Sequence, residues 1–254
     1  MPQRERNDRR PPQDVVCGRN AVMELLRSGR ELETLFVAKG ERRGSIAAVL
    51  ALAREKGVPI KECDVKKLDF YAGGTAHQGV AALPSAVEYA APEDILRLAE
   101  ERGEPPFLVL ADGIEDPHNL GAIIRTAECA GAHGIVIPKR RSAGMTAAVH
   151  KASAGAASHL PIARVANLAA VIEELKEKGV WIYGADMTGT PYTALDYTGP
   201  TALVIGSEGA GISRLVREKC DFIATLPMRG KVNSLNASVA AAVLLYEVVR
   251  QRIG

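Results

Sequence analysis

The segment "FLVLADGIEDPHNLGAIIRTAECAG", residues 107–131, carries the pattern that decides the fold. Its first part is an apolar run, and apolar residues then recur at helical spacing from Leu120 to Ala127. This pattern predicts a strand that passes through a short polar turn into an amphipathic helix. Asn119 stands where the helix is expected to begin, and Asn is a favoured N-cap, so we expect a helix from Leu120.

The rest of the second half repeats this alternation. Further strands are predicted at "GIVIP", "HLPIARV", "VWIYGAD", "TALVIG" and "FIATLP", with helices at "LAAVIEELKEKG", "ISRLVREKC" and from about Leu235 to the end. Alternating strands and helices are typical of a mostly parallel sheet with helices on both faces. The fold class is therefore α/β.

Four segments are expected along the chain. Residues 1–13 are polar and rich in Arg, so they cannot bury enough apolar surface to fold and form a flexible basic tail. Residues 14–88 form a small α/β domain, whose first helix ends at Gly29. Residues 89–105 form a charged linker helix that ends in a Pro pair, and residues 106–254 form the second domain.

The composition limits the class of protein. With 254 residues and 47% hydrophobic content, the chain is long enough for a core, which is built from Ala, Val, Leu and Ile because only 4% of residues are aromatic. The net charge is +2, so a nucleic-acid surface has to be local. No run of about 18 apolar residues predicts a membrane span.

The cysteines predict the compartment. Cys17, Cys63, Cys129 and Cys220 are widely spaced and form no CxxC pair, which argues against a metal site or a redox motif. Their apolar or helical surroundings predict buried free thiols and a reducing, cytoplasmic location. The N-terminus also lacks the apolar stretch of a signal peptide.

Ligands of open α/β sheets bind at the carboxyl ends of strands, and residues 107–131 supply the first candidate there. Arg125 and Glu128 lie off the predicted buried face of the helix. They could form an exposed ion pair worth a few tenths of a kcal/mol. Alternatively, the forked guanidinium of Arg125 holds a phosphate or a carboxylate.

The second candidate is "ALVIGSEGAGIS", residues 202–213, in which a strand ends in a Gly-rich turn. It is not a GxGxxG motif, because its glycines are Gly206, Gly209 and Gly211, and it lacks the GK(S/T) of a nucleoside-triphosphate loop. This argues against a Rossmann-type oxidoreductase. Glu208 could serve the site or cap the helix that follows.

The third candidate is "TLPMRGKVNSLNASVAAAVLLYE", residues 225–247, where a polar loop precedes the final helix. N-capping would explain either Ser234 or Asn236, but hardly both. The final helix is apolar almost all round, which predicts burial against a partner subunit as much as against its own sheet. A separate basic block runs from Lys139 to Lys151 and is either a solvated loop or an RNA-phosphate contact.

Taken together, the three stretches resemble the signature motifs of a known family. "DGIEDPHNLGAIIRTAECAG", "ALVIGSEGAGISRLVREKCD" and "LPMRGKVNSLNASVAAAVLLYEVVRQR" are similar to those of the SpoU (TrmH-like) family of SPOUT-class RNA 2′-O-ribose methyltransferases. The resemblance covers residues 105–252. The preceding unit resembles the L30e-like RNA-binding domain that many members carry. Within the family, the chain most resembles the bacterial enzymes that methylate a guanosine in the peptidyl-tRNA-binding loop of 23S rRNA.

The resemblance implies a SPOUT trefoil-knot domain, S-adenosylmethionine as methyl donor, no metal, and a homodimer whose rRNA site draws on both subunits. The family's catalytic residues correspond to Asn119, Arg125, Glu208, Ser234 and Asn236. Its donor-binding positions correspond to Gly206, Gly211, Leu226, Ser234 and Leu235. Candidate RNA contacts are Lys139, Arg140, Arg141, Lys151, Arg229 and Lys231.

Two questions stay open at this point. Either Arg125 itself accepts the hydroxyl proton, or Arg125 only grips the RNA phosphate and Glu208 or a water accepts the proton, and we expect Arg125 to be essential in either role. The rival functions are methylation of tRNA and non-catalytic binding of RNA by the same fold. The intact motif positions favour an enzyme.

Overall fold

The computed structural model describes residues 15–28, 30–40, 44–85 and 87–253. The predicted tail, residues 1–13, and Gly29, the predicted end of the first helix, lie outside the described residues. The chain divides into two compact units at a boundary that follows Ser85. The limits predicted for the individual domains stay a prediction.

The first unit is a four-stranded sheet with helices on both faces. Its elements are β1 (Val16–Cys17), α1 (Arg19–Arg27), β2 (Leu32–Ala38), α2 (Ser45–Glu55), β3 (Ile60–Cys63), α3 (Val65–Ala72) and β4 (Val80–Pro84). The strand order is β1-β4-β2-β3, and β2 runs parallel to β3 and antiparallel to β4. Successive residues of β2 alternate between two apolar clusters, one that includes α1 and α2 and one that includes α3.

The second unit is built around a parallel sheet of six strands. Its elements are α4 (Pro92–Arg102), β5 (Phe107–Asp112), α5 (Pro117–Cys129), β6 (Gly134–Pro138), α6 (Ala147–Ala152), β7 (Ile162–Val165), α7 (Leu168–Glu177), β8 (Trp181–Pro191), β9 (Thr201–Gly206), α8 (Arg214–Lys219), β10 (Phe222–Thr225) and α9 (Ala237–Ile253). The strand order is β10-β8-β9-β5-β6-β7, and every neighbouring pair is parallel. The carboxyl ends of all six strands therefore lie at one edge.

Strand β5 lies inside the sheet and shows why the sheet is covered on both faces. Phe107 and Val109 pack with residues of α5 and α9, whereas Leu108 and Leu110 pack with residues of α7 and α8. All four side chains are almost completely buried. Burial of an aliphatic or aromatic side chain of this size contributes roughly 1.5–3 kcal/mol. The predicted α/β class, with a parallel sheet covered by helices on both faces, is confirmed.

The predicted start of α5 was wrong by three residues. The helix begins at Pro117, and its N-cap is Asp116, whose side chain accepts the N–H of His118 at 3.1 Å. Pro is favoured in the first helical position because its fixed φ suits the helix and its missing N–H is not needed there. Asn119 is therefore the third residue of the helix, which leaves its side-chain amide free for other contacts.

The expected burial of the cysteines and the expected start of the final helix also need correction. Only Cys63 of the four free cysteines is buried, and Cys129, at the end of α5, is exposed. The final helix begins at Ala237 rather than at about Leu235, and Val239, Tyr246 and Ile253 on it are exposed. No helix in the described part of the chain has the length and the apolar content that a membrane span requires.

Candidate active site

Side chains from three separate segments meet at the carboxyl edge of the six-stranded sheet. Asn119 of α5 donates from Nδ2 to Oε1 of Glu208 at 3.0 Å. Asn236, which precedes α9, donates from Nδ2 to Oδ1 of Asn119 at 2.9 Å and also to Oε1 of Glu208. We call these three residues the Asn–Glu–Asn cluster. It joins one residue from each of the three stretches that the sequence singled out.

Asn236 is held in one orientation by the start of α9. Its Oδ1 accepts the N–H of Ser238 at 2.9 Å, the hydroxyl of Ser238 at 2.6 Å and the N–H of Val239 at 3.3 Å. This is N-capping, the structural role that the sequence allowed for this residue. Because the oxygen caps the helix, the amide nitrogen is directed at Glu208, so Asn236 serves both roles at once.

Glu208 does not cap the helix that follows it. Besides the two side-chain amides, its Oε1 accepts the backbone N–H of Ala237 at 3.4 Å, so the contact is with α9 instead of α8. Oε2 accepts no hydrogen bond from the described residues. One oxygen of the carboxylate thus holds the cluster together, and the other is available to a ligand.

A cleft of about 880 Å³ opens beside the cluster. Its walls are residues 185–187 of β8, the loop between β9 and α8, and the loop between β10 and α9. All the residues predicted to bind the donor line it, namely Gly206, Gly211, Leu226, Ser234 and Leu235. Glu208 and Lys231 line it as well.

Gly206 is required by the packing of the cleft wall. A Cβ atom at this position would lie 2.2 Å from the carbonyl carbon of Gly211 and 2.3 Å from the nitrogen of Ile212. Both are backbone atoms, which cannot move aside as a flexible side chain could. The Gly-rich loop therefore folds back directly over Gly206, which lines the cleft.

The cleft also contains residues that the sequence analysis did not assign. Asp186 and Met187 lie on the β8 wall, and Met228 lies on the loop after β10. Asp186 pairs with Arg217 of α8, with 2.9 Å between Oδ2 and Nε. Asp186 is the last residue of the predicted strand "VWIYGAD", but β8 continues to Pro191, and a single acid inside a strand gives no sequence signal of a site.

Arg125 is not part of the cluster within one chain. It is exposed on α5 and forms no hydrogen bond or ion pair with any residue that the structure describes. Six residues of helix separate it from Asn119, which amounts to about 9 Å along the axis and a rotation of roughly 240°. The ion pair considered with Glu128 is not formed. Arg125 therefore starts from a different side of α5 than Asn119, and its guanidinium has no polar partner among the described residues.

Five of the six candidate RNA contacts lie in two loops, and the sixth, Lys151, lies on α6. Lys139, Arg140 and Arg141 follow β6, and β6 pairs with β5, so these side chains emerge at the same edge as the Asn–Glu–Asn cluster. Arg140, Arg141 and Lys151 are exposed, and Lys139 is half-buried. Arg229 and Lys231 are exposed in the loop that lines the cleft.

The parallel sheet, the cleft at its carboxyl edge and the polar cluster define a SPOUT-class methyltransferase. Residues 106–246 match the model of the SpoU rRNA Methylase family, and residues 15–90 match the model described as RNA 2′-O ribose methyltransferase substrate binding. The chain belongs to the SpoU family and is an RNA methyltransferase.

Similar proteins match the chain over nearly its whole length. YacO of Bacillus subtilis (strain 168), assigned to the TrmH family of tRNA/rRNA methyltransferases, is 52% identical over 240 residues, which are 94% of this chain and 96% of that protein. The SpoU methyltransferase AviRb of Streptomyces viridochromogenes, solved with its cofactor AdoMet, has a TM-score of 0.58 at 29% identity and covers 94% of this chain and 90% of its own. An AdoMet-bound rRNA methyltransferase of Sinorhizobium meliloti has a TM-score of 0.58 at 26% identity, and the match covers 93% of this chain and 86% of that one.

Proposed function

We propose that this protein transfers the methyl group of S-adenosylmethionine to a ribose 2′-hydroxyl in structured RNA, with a guanosine in the peptidyl-tRNA-binding loop of 23S rRNA as the target. The observation that carries the proposal is the Asn–Glu–Asn cluster. It unites the three segments on the rim of a cleft lined by every residue expected to bind the donor.

The cleft suits the methyl donor in size and in chemistry. At about 880 Å³, it is within the range of pockets that hold small ligands and leaves room for the acceptor nucleotide. Apolar side chains of Leu226 and Leu235 offer a surface for an adenine ring, and the backbone of Gly206 and Gly211 permits close approach. When bound, S-adenosylmethionine supplies a methyl group on a positively charged sulfur. AviRb, a protein of similar fold, was solved with this cofactor.

The residues of the site align the reacting atoms and accept the proton of the hydroxyl group. Transfer to a hydroxyl requires the oxygen, the methyl carbon and the sulfur in line, and held geometry of this kind can contribute roughly 7–11 kcal/mol. Asn119 and Asn236 fix Oε1 of Glu208, which leaves Oε2 as the atom that can accept the hydroxyl proton directly or through a water. Arg125 binds the RNA phosphate with the paired donors of its forked guanidinium.

The proposed active unit is a homodimer. Val239, Tyr246 and Ile253 are exposed and lie seven residues apart, so they share one face of α9. α5, which carries Arg125, packs against α9. Pairing of this face with its copy in a two-fold dimer would bury the apolar residues and bring Arg125 toward the partner's cleft. Ser234, in the loop that lines the cleft, would contact the acceptor nucleotide there.

The RNA target is chosen by analogy with the bacterial enzymes that the motifs resemble. The basic side chains after β6 and in the loop after β10 provide phosphate contacts at the edge that carries the cluster. Methylation of tRNA is the second candidate, because the family name of YacO includes both kinds of RNA. The proposed location is the cytoplasm, where both RNAs are made.

The test is a transfer assay with tritium-labelled S-adenosylmethionine. The substrates are a 23S rRNA fragment that contains the loop, the same fragment with a 2′-deoxyguanosine at the target, and total tRNA. We expect label in the first substrate only. Label in the deoxy fragment would refute transfer to the ribose, and label in tRNA alone would refute the rRNA target.

A further inference from the structure

Asp112, the last residue of β5, contacts both ends of the Gly-rich loop. Its backbone is in register with Gly206, where the loop leaves β9. Its side-chain Oδ2 accepts the backbone N–H of Ser213, where the loop enters α8, at 2.7 Å. The loop between these two ends carries Glu208 and lines the cleft. A single side chain therefore ties the far end of the loop to the centre of the sheet.

The internal shape of the loop does not depend on Asp112. Ser207 and Gly211 exchange two backbone hydrogen bonds, of 3.1 and 2.9 Å, so the loop is already closed on itself. What remains to be fixed is the position of this closed loop over the sheet. Strand β9 fixes one end covalently, and the bond from Ser213 to Asp112 holds the other.

The hydrogen bond between Ser213 and Asp112 also affects the geometry of the Asn–Glu–Asn cluster. After Asp112 the chain turns at Gly113, which has a φ of +74°. Gly113 lies against Ser207 of the loop, because a Cβ atom added to Gly113 would be 3.6 Å from the serine side chain. The turn then leads to α5 and to Asn119, whose amide reaches Glu208 at 3.0 Å. A shift of the loop away from β5 would therefore lengthen the contact between Asn119 and Glu208.

We propose that Asp112 is a positioning residue of the methyl-donor site. It acts by accepting the hydrogen bond of Ser213, which sets the place of the Gly-rich loop, and it does not contact the donor or the RNA. Its negative charge is not required for this role, because a neutral amide oxygen can accept the same bond. The inference rests on the proposed function for one point, the identity of the ligand that the cleft binds.

The experiment compares three variants of the full-length protein with the wild type. Asp112→Ala removes the acceptor, Asp112→Asn keeps an acceptor without the charge, and Glu115→Ala removes an exposed carboxylate three residues further along the same turn. Two quantities are measured, namely the Kd for S-adenosylmethionine by calorimetry and, without any ligand, the hydrogen-exchange rate of the Ser213 amide. The second readout does not depend on the identity of the ligand.

We expect Asp112→Ala to raise the Kd about tenfold or more and to speed exchange at Ser213 by a similar factor, because the hydrogen bond that holds the far end of the loop is lost. Asp112→Asn should stay within about threefold of the wild type in both measurements, as should Glu115→Ala. Unchanged exchange and Kd in Asp112→Ala would overturn the inference. So would an Asn variant as impaired as the Ala variant, since that would assign the effect to the charge. If the wild type itself failed to bind the donor, the proposed function would fail, while the exchange result would still decide the role of Asp112.

Discussion

At the scale of single residues, Asn236 carries two roles on two atoms of one amide. Oδ1 caps α9, and Nδ2 holds Glu208 and Asn119. The two roles can be separated by substitution, because Ser is about as good an N-cap as Asn but has no amide donor. A substitution that lowers activity without lowering stability would then show that the amide nitrogen acts through the Asn–Glu–Asn cluster.

Asn236→Ser is expected to keep the free energy of unfolding within a few tenths of a kcal/mol of the wild type, whereas Asn236→Ala should lose about 1 kcal/mol. Both variants should lose activity by roughly a hundredfold, the usual effect of removing one oriented hydrogen-bond donor from an active site. Urea denaturation and the tritium-transfer assay measure the two quantities. Wild-type activity in the Ser variant would show that the amide donors are not needed.

A substitution of Arg125 tests the proposed contact between its forked guanidinium and an RNA phosphate. Arg125→Lys keeps one positive charge but loses the planar pair of donors. Because Arg125 is exposed and has no partner among the described residues, the substitution should leave stability unchanged. We expect most of the transfer activity to disappear while the Kd for S-adenosylmethionine stays the same. Turnover equal to that of the wild type would exclude a role for the fork.

At the scale of elements, the connection from α4 to β5 is fixed by a buried histidine. Nδ1 of His133 accepts the N–H of Phe107 at 3.0 Å, and Nε2 lies 3.1 Å from a carboxylate oxygen of Glu104. Burial lowers the pKa of His133 below its usual 6.5, and the nearby Arg102 and Arg252 act in the same direction, while Glu104 opposes them. The neutral imidazole is the form that fits, because a proton on Nδ1 would remove the acceptor.

Stability should therefore depend on pH through this residue. The folded protein holds the His133 proton more weakly than the unfolded chain, so its contribution is complete above pH 6.5 and is lost as the pH falls below that value. Denaturation in urea between pH 7.5 and 5.5 measures the loss, which for one proton is at most about 1.4 kcal/mol per pH unit. His133→Gln should show a smaller loss over this interval. Equal losses in both proteins would exclude the histidine as the cause.

The elements themselves were largely predictable from the sequence, whereas their junctions were less so. The spacing of apolar residues predicted β5, β9 and the body of α5, because the faces that an element buries determine which of its positions are apolar. The start of α5 was misplaced because Asp116 and Asn119 are both good caps, and only the proline between them favours the earlier one. The contact of Glu208 with α9 instead of α8 required the tertiary structure.

At the scale of the whole molecule, the motifs indicated which residues serve the site but not how they meet. Asn119 and Asn236 are 117 residues apart, and no local pattern predicts the hydrogen bond between them. The trefoil knot stays a prediction, because strand order alone does not define how the chain threads. Asp112 was overlooked because a single acid at a strand end carries no motif, and Asp186 was overlooked because it lies inside β8.

The exposed face of α9 predicts the oligomeric state. Tyr246 is 50% exposed in the single chain and lies in the middle of the apolar face. Tyr246→Glu would place a charge in the proposed contact and should weaken the dimer about thirtyfold, the scale of an interface hot spot. Sedimentation velocity across a dilution series measures this. Val65→Glu, at a site of similar exposure in the first unit, is the control and should leave association unchanged.

Mixing of two inactive variants tests whether the site is shared between subunits. Arg125 lies outside the cluster of its own chain, and in the proposed dimer it would serve the partner's cleft. If Arg125→Lys and Asn236→Ser are mixed and allowed to exchange subunits, half of the dimers contain one chain of each kind. Each mixed dimer then combines the intact Arg125 of one chain with the intact Asn236 of the other in one of its two sites, so about a quarter of wild-type activity should return. If Arg125 instead acted within its own chain, every site would keep one defect and mixing would restore nothing.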